Sequence, residues 1–179
     1  MKSNAHPGRR RSAAPHRGVA ETGTPEIVAA AGVTRGALYH HFADKADLFR
    51  AVCAREADAI GKMIVSATQG IADPEEALLA GTRAYFDAVA RTGRTRLLLL
   101  DAPAVLGHAE AVALVRSDGV SELREGLARI APDMDEDELQ ALADMLSAAF
   151  DRAALAIEEG RDRSVYERAM RRLVSTAAR

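Results

Sequence analysis

The chain has 179 residues, 26 acidic and 24 basic side chains, and a net charge of -2. This length supports one sizeable core or a small head on a larger body, and the charge restricts nucleic-acid binding to a local basic patch. The single cysteine, Cys53, excludes an internal disulfide. Alanine, leucine, arginine and glutamate dominate and prolines are few, so the composition predicts an all-α protein.

Residues 1–17 carry five Lys or Arg side chains, no acidic one, two prolines and no large apolar side chain after Met1. Such a segment cannot supply the buried stripe of an amphipathic helix. We therefore expect a basic, disordered arm. The alternative is an ordered arm that follows DNA phosphates or lies in a minor groove.

Residues 24–45, TPEIVAAAGVTRGALYHHFADK, are typical of two short helices joined by a tight turn. The first helix opens on a threonine and a proline and ends at Gly32, which can adopt the left-handed conformation. Thr34 caps the second helix, in which Leu38 and Phe42 point inward. A helix-turn-helix of this kind places the N-terminal part of its second helix in the DNA major groove.

The outer face of the second helix is small, cationic and aromatic. Gly36 and Ala37 would let the backbone approach the bases, and Arg35 and His40 are candidates for contacts to base edges. A metal site at His40 and His41 is not expected, because adjacent positions of a helix point about 100° apart.

The run AAAGVTRGALYHHFADKADLF resembles the DNA-binding signature of the TetR/AcrR family of bacterial transcriptional repressors. This resemblance implies that Tyr39 and Lys45 hold DNA phosphates, and Thr24 and Thr34 are further candidates for that role. The predicted DNA-binding residues are Thr24, Thr34, Arg35, Gly36, Ala37, Tyr39, His40 and Lys45.

The resemblance begins at Gly18, after the position of the family's amphipathic first helix, which is not recognisable here. Without that helix, two or three large side chains of the motif would lose a packing partner, at a cost on the order of several kcal/mol. The predicted organisation is a basic arm at 1–17, a helix-turn-helix head at 18–50 with its motif at 23–42, and a helical ligand-binding and dimerisation body at 51–179.

Apolar residues of the body recur at helical spacing. Asp44 and Asp47 resemble a capping box at the start of the first body helix, and Pro103 should end or kink a helix further along. The predicted helices span about 44–68, three segments within 74–131, 135–157 and 164–178.

The last two helices are rich in alanine, which allows close approach of a second pair of helices. The family resemblance implies the same arrangement, so we predict a homodimer that forms through residues 135–178. The alternative is a helical hairpin packed within a monomer.

A repressor of this type needs a cavity in its body, because an effector changes DNA binding only if it favours one conformation. Tyr85 and His108 are the polar members of the predicted lining, so we expect a small hydrophobic or aromatic effector. Core packing is the alternative for each position. The predicted lining is Met63, Tyr85, Phe86, Leu100, Leu106, His108 and Phe150.

The leading hypothesis is a cytoplasmic, ligand-responsive repressor that binds a palindromic DNA operator as a homodimer. The alternative is a helical dimer that binds a small molecule but binds DNA poorly, because its head lacks the first helix. No enzymatic motif, metal site, cofactor or membrane-spanning stretch is expected.

Overall fold

The computed structural model describes Ala29, Gly32, residues 34–115 and residues 119–177. These residues form helices and loops without a β-strand, which confirms the all-α prediction. The predicted arm at 1–17, Thr24 and the first helix of the motif lie outside the described residues.

The second helix of the motif, α1, spans Arg35–His41. It begins after Thr34, which has an extended backbone and whose Oγ1 accepts a hydrogen bond from the Ala37 N–H at 3.1 Å. Gly32 has a φ of +65°, the left-handed conformation predicted for it. Leu38 is the buried residue of α1, so this helix presents a narrow apolar side and a broad exposed one.

The next helix, α2, spans Lys45–Thr68. Asp44 Oδ1 accepts a hydrogen bond from the Asp47 N–H at 2.7 Å, and Asp47 Oδ2 accepts one from the Ala43 N–H at 3.0 Å. These reciprocal bonds confirm the predicted capping box, although the returning bond reaches Ala43 rather than Asp44. At 24 residues α2 is about 36 Å long, enough to connect the motif to the middle of the body.

Helix α3 spans Pro74–Val89, and its N-terminus is capped by Asp73. The following helical segment consists of α4 (Arg94–Arg96), a π-helical turn at Leu97–Asp101 and α5 (Ala102–Leu106).

The expectation that Pro103 ends or kinks a helix is revised, because the helical segment continues through it to Leu106. The wider π turn directly precedes the proline, and the Ala102 N–H bonds to the Leu97 carbonyl. A turn of this kind tolerates the missing proline N–H. The segment ends instead at Gly107, whose φ is +87°.

The remaining described helices are α6 (His108–Val115), α7 (Gly119–Ile130), α8 (Glu136–Glu158) and α9 (Arg163–Ala177). Where three helices were predicted within residues 74–131, the described ranges are α3, the segment from Arg94 to Leu106, α6 and α7, and residues 116–118 between the last two lie outside the described residues. The predicted helices at 135–157 and 164–178 correspond closely to α8 and α9.

The described helices enclose two clusters of buried apolar residues. One cluster joins α2 and α3 to the segment around the π turn, and the other joins α3 to α7, α8 and α9. Tyr85 packs against both clusters. Its ring centroid lies 5.6 Å from that of Phe86 and 5.2 Å from that of Phe150, so three aromatic rings meet where the clusters adjoin.

A buried ion pair connects α2 to the helical segment that follows α3. Arg94 is 3 % exposed, and its Nε and Nη2 donate to Glu56 Oε2 at 2.9 and 2.6 Å. Its Nη1 donates to the Ala88 carbonyl at 2.8 Å. This hydrogen-bonding lowers the pKa of the Glu56 carboxyl. The pair joins α2 to α4. Removal of either partner would leave the other charge without compensation, so the two helices are stabilised in this arrangement.

Replacing Glu56 with alanine should lower the free energy of unfolding by about 3 kcal/mol, because the Arg94 guanidinium would remain buried and unpaired. The loss should be complete above pH 4.5, the usual pKa of this carboxyl, and should shrink as the pH falls from 4.5 through the lowered pKa of the folded protein, where the paired carboxylate is finally protonated. Chemical denaturation at several pH values measures both effects.

Asp58→Ala is the matched control, because Asp58 pairs with Lys62 at 2.6 Å on the exposed side of the same helix. Its cost should stay below about 1 kcal/mol. Equal costs for the two substitutions would contradict a special role for the Glu56–Arg94 pair.

Candidate functional site

The outer face of α1 carries the predicted DNA-binding residues that the structure describes. Arg35, Gly36, Ala37 and His40 are exposed, and the Tyr39 side chain is 40 % exposed. Thr34 precedes this face as the cap of the helix, and Lys45 is half-buried at the start of α2. Their contacts with DNA remain a prediction, but they share one end of the described chain.

Arg35 and Tyr39 lie one helical turn apart and contact each other. The Arg35 Cζ atom is 5.6 Å from the centroid of the Tyr39 ring, within the range of a cation–π interaction. The contact holds the guanidinium along the exposed face of α1. A base or phosphate would therefore meet an arginine whose conformations are already restricted.

The exposed side of Gly36 faces open space. A Cβ atom built on it would meet Thr34 Oγ1 at 4.0 Å and no other described atom within 4 Å. Glycine within a helix costs about 1 kcal/mol relative to alanine. Packing against the described residues does not require glycine at this position, whereas the close approach of DNA predicted from the sequence would.

A cavity of about 180 Å³, partly open to solvent, lies in the body. A cavity of about 150 Å³ is already sufficient to hold benzene. Its wall is formed by α2, α3, the segment that begins at Arg94, α7 and α8. Four glycines replace side chains along this wall: Gly61, Gly81, Gly119 and Gly126.

Two of the seven predicted pocket residues, Tyr85 and Phe150, line this cavity. The structure places the other five outside the lining. Phe86 is 1 % exposed and belongs to the second core cluster, and Leu106 packs against the first. Met63, Leu100 and His108 are exposed, because their sides of the helices face away from the body's centre.

The sequence analysis missed the charged members of the lining. Asp151 follows Phe150 in an alanine-rich stretch of α8 and accepts a hydrogen bond from the Tyr85 hydroxyl at 2.9 Å. Burial raises the pKa of the Asp151 carboxyl, and burial together with the nearby carboxylate raises the pKa of the Tyr85 hydroxyl. A carboxylate within an apolar helical face was the available signal.

Other reactive groups do not form a second site in the described part of the chain. No group of three or more His, Cys, Asp or Glu side chains there is arranged to hold a metal ion. Burial raises the pKa of the Cys53 thiol to about 11, which makes the reactive thiolate scarce. None of the helices in this part is long and apolar enough to cross a membrane.

Two family models match the chain. One, described as bacterial regulatory proteins of the tetR family, matches residues 13–52. The other, described as a tetracyclin repressor-like C-terminal domain, matches residues 75–178. The first match covers α1 and starts within the predicted arm at 1–17, and the second covers most of the helical body.

Curated relatives match mainly the head. The chain is 50 % identical over 46 residues to the HTH-type transcriptional regulator AcrR of Shigella flexneri, covering 26 % of this chain and 21 % of AcrR. It is 51 % identical over 39 residues to the repressor BepR of Brucella suis, covering 22 % and 19 %. It is 34 % identical over 73 residues to the activator FasR of Mycolicibacterium smegmatis, covering 41 % and 33 %. The matched stretches thus span a fifth to a third of these relatives.

Solved structures match the whole fold. A TetR-family transcriptional regulator from Pectobacterium atrosepticum superposes with a TM-score of 0.67 at 26 % identity, covering 88 % of this chain and 82 % of that one. PfmR from Thermus thermophilus superposes with a TM-score of 0.64 at 19 % identity, covering 89 % of both chains. The second similarity shows the fold alone.

Asp151→Asn should stabilise the folded protein at neutral pH. Asparagine can still accept the Tyr85 hydrogen bond, but it removes a carboxylate whose charged form is disfavoured by burial. Because the folded-state pKa is raised, the wild type loses stability as the pH rises from 3.8 through that pKa. The advantage of the variant should therefore be present at neutral pH and vanish below pH 3.8.

Thermal unfolding across pH measures this difference, and each unit of pKa shift corresponds to about 1.4 kcal/mol. Asp133→Asn, at an exposed position between α7 and α8, is the control and should change stability by less than about 0.5 kcal/mol. A variant less stable than the wild type at neutral pH would contradict the assignment of a strained, buried charge.

Proposed function

The chain belongs to the TetR family of bacterial transcriptional regulators, and we propose that it is a ligand-responsive repressor that binds a palindromic operator as a homodimer. Members of this family bind DNA, are typically dimers and are not enzymes. The similarity of the head to the repressor BepR supports repression, whereas the relative FasR, matched over a longer stretch, is an activator. A protein that acts on chromosomal DNA would work in the cytoplasm.

The observation that carries the DNA-binding role is the open, cationic face of α1. Arg35 and His40 would contact base edges, because arginine can donate two hydrogen bonds to one guanine. Thr34, Tyr39 and Lys45 would contact phosphates, together with Thr24. Gly36 would let the helix backbone lie close to the floor of the major groove.

Helix α2 supports a mechanism for the ligand response. Its first turn follows α1, and its residues Ile60, Gly61 and Ile64 form part of the cavity wall. Arg94 also lines the cavity and holds Glu56 on α2. An effector that prefers one arrangement of the wall would shift α2, and with it the angle at which the heads meet the DNA.

The wall supports an effector with an apolar or aromatic body. Leu78, Tyr85, Leu98 and Phe150 present carbon surface to the cavity, and such surface gains free energy when a ligand displaces water from it. The effector itself remains to be identified by binding experiments.

The exposed faces of α8 and α9 support the homodimer. Met145 is 71 % exposed, and Val165 and Leu173 are each 49 % exposed. Ala141 and Ala148 flank Met145 on the same side of α8, so the exposed stripe is apolar and its alanine side chains are short enough for another helix to approach closely. A second copy of this pair of helices would cover the stripe around a two-fold axis.

Gly36→Ala should separate DNA binding from stability. A Cβ has space in the free protein, so alanine should raise the free energy of unfolding by about 0.5–1 kcal/mol. The same methyl group should weaken operator binding, because the backbone could no longer approach the bases. Fluorescence anisotropy with DNA that flanks the protein's own gene and with a shuffled duplex, across a salt series, measures the DNA affinity.

The wild type should prefer the flanking DNA and lose affinity as salt rises. Equal, weak binding to both duplexes would overturn the repressor proposal and favour a ligand-binding dimer with an impaired head. Unchanged operator affinity in Gly36→Ala would contradict the close approach at this residue.

Met145→Glu should dissociate the homodimer, because the two-fold axis would bring two buried carboxylates into one apolar interface. Sedimentation equilibrium should show twice the chain mass of 19.1 kDa for the wild type and a single chain mass for the variant. Val65→Glu, at an exposed apolar position on α2, should remain dimeric. A monomeric wild type, or equal dissociation of both variants, would contradict this interface.

A further inference from the structure

Asp151 presents a carboxylate oxygen that the described residues do not satisfy. Oδ1 accepts the hydrogen bond from the Tyr85 hydroxyl at 2.9 Å, whereas Oδ2 accepts none from the described residues. No fully buried side-chain oxygen or nitrogen in this part of the chain lacks a partner, so Oδ2 must reach open space. Asp151 lines the cavity, which makes the cavity the space available to it.

Two arginines also line the cavity, and each donates hydrogen bonds to groups other than Asp151. Arg94 donates to Glu56 and to the Ala88 carbonyl, and Arg129 donates to the Ala72 carbonyl at 3.1 Å. Neither forms an ion pair with Asp151. The burial that raises the pKa of this carboxyl is thus opposed by a hydroxyl hydrogen bond but by no positive charge in the described chain.

Other features of the wall also favour a positive charge over a negative one. Glu122 and Glu125 on α7 add two further carboxylates to the lining. The rings of Tyr85 and Phe150 lie next to Asp151 in the wall, with centroids 5.2 Å apart. Aromatic faces attract cations, and the attraction increases when water is excluded. An anionic ligand would be repelled by all of these groups.

We propose that the cavity binds the protonated amine or amidine end of a small apolar molecule, with the Asp151 carboxylate as its anionic partner and Tyr85 as the residue that orients that carboxylate. The apolar remainder of the ligand lies against Leu78, Leu98 and Phe150. This inference rests on the proposed ligand pocket and adds the charge of the effector to it. Oδ2, which accepts no hydrogen bond from the described residues, receives one from the ammonium group.

Three probes with the same phenyl ring and similar length distinguish the classes of ligand: 2-phenylethylamine as the cation, 2-phenylethanol as the neutral analogue and 3-phenylpropanoate as the anion. Isothermal titration calorimetry on the full chain without DNA should show the amine binding at least about tenfold more tightly than the alcohol. The anion should bind more weakly than either.

Asp151→Asn should weaken amine binding by about tenfold or more and leave alcohol binding unchanged, because it removes the charge and retains the shape. Asp144→Asn is the matched control: its carboxylate is half-buried, lies two turns earlier on α8 and is not part of the cavity lining. It should bind all three probes as the wild type does. Tyr85→Phe should weaken the amine by a smaller factor, since the carboxylate remains.

An amine that binds wild-type protein no more tightly than the alcohol overturns the proposal, as does the absence of binding of all three probes up to about 10 mM. Equal weakening of amine and alcohol by Asp151→Asn also overturns it. The wild-type comparison does not depend on whether a variant folds. These titrations contain no DNA, so they test the amine preference independently of operator binding. A failure of the repressor proposal would appear in the anisotropy experiment and would leave the amine preference unaffected.

Discussion

Helix α2 belongs to two parts of the molecule at once, and this constraint organises the rest of the fold. Phe49 and Cys53 bury its first half in the core, while Ile60 and Ile64 form the cavity wall in its second half. A continuous helix transmits displacement along its length because its backbone hydrogen bonds resist bending. The position of α1 therefore depends on how the body packs around the far end of α2.

Two polar contacts determine that position together with the apolar core. Glu56 is held by the buried Arg94, and Arg50, near the start of α2, forms an ion pair with Glu110 on α6. The first contact is shielded from water and the second is at the surface. Charge pairs shielded from water are the more sensitive to geometry, so in the proposed ligand response movement of the cavity wall would act on α2 chiefly through Arg94.

Glycines shape the contact between the helices that surround the cavity. A Cβ at Gly126 would lie 2.4 Å from Leu78 Cδ2, so α7 approaches α3 more closely than any side chain at this position would allow. Gly61, Gly81 and Gly119 also line the cavity. A Cβ at Gly81 would lie 3.3 Å from Thr68 Cγ2, so this glycine allows α2 and α3 to pack closely beside the cavity.

The fully buried polar side-chain atoms of the described residues all have hydrogen-bond partners. Thr82 and Thr95 donate to the carbonyls of Leu78 and Val89 at 2.9 and 3.0 Å, and Arg94 has three hydrogen bonds. Asp151 alone, among the described groups of the lining discussed above, combines burial with an oxygen that has no partner. Buried charge is costly without compensation, and groups whose pKa values are shifted by burial cluster at functional sites.

The helix-turn-helix, its caps and the amphipathic helices of the body could be inferred from the sequence, because they depend on local rules. A threonine caps α1, the Asp44 and Asp47 side chains cap α2, and apolar residues repeat every three or four positions. The exposed face of α1 follows from the same periodicity. These features involve residues within about two turns of one another, and such interactions are encoded in neighbouring positions.

The cavity could not be inferred in this way, since its wall combines five separate parts of the chain. Periodicity identified apolar residues but could not distinguish Phe86, which packs in the core, from Phe150, which borders the cavity. The π turn before Pro103, the Arg94–Glu56 pair and the Tyr85–Asp151 bond were likewise decided by tertiary packing. Helices that are distant in sequence must dock before these side chains meet, so only the tertiary structure determines which of them face a ligand.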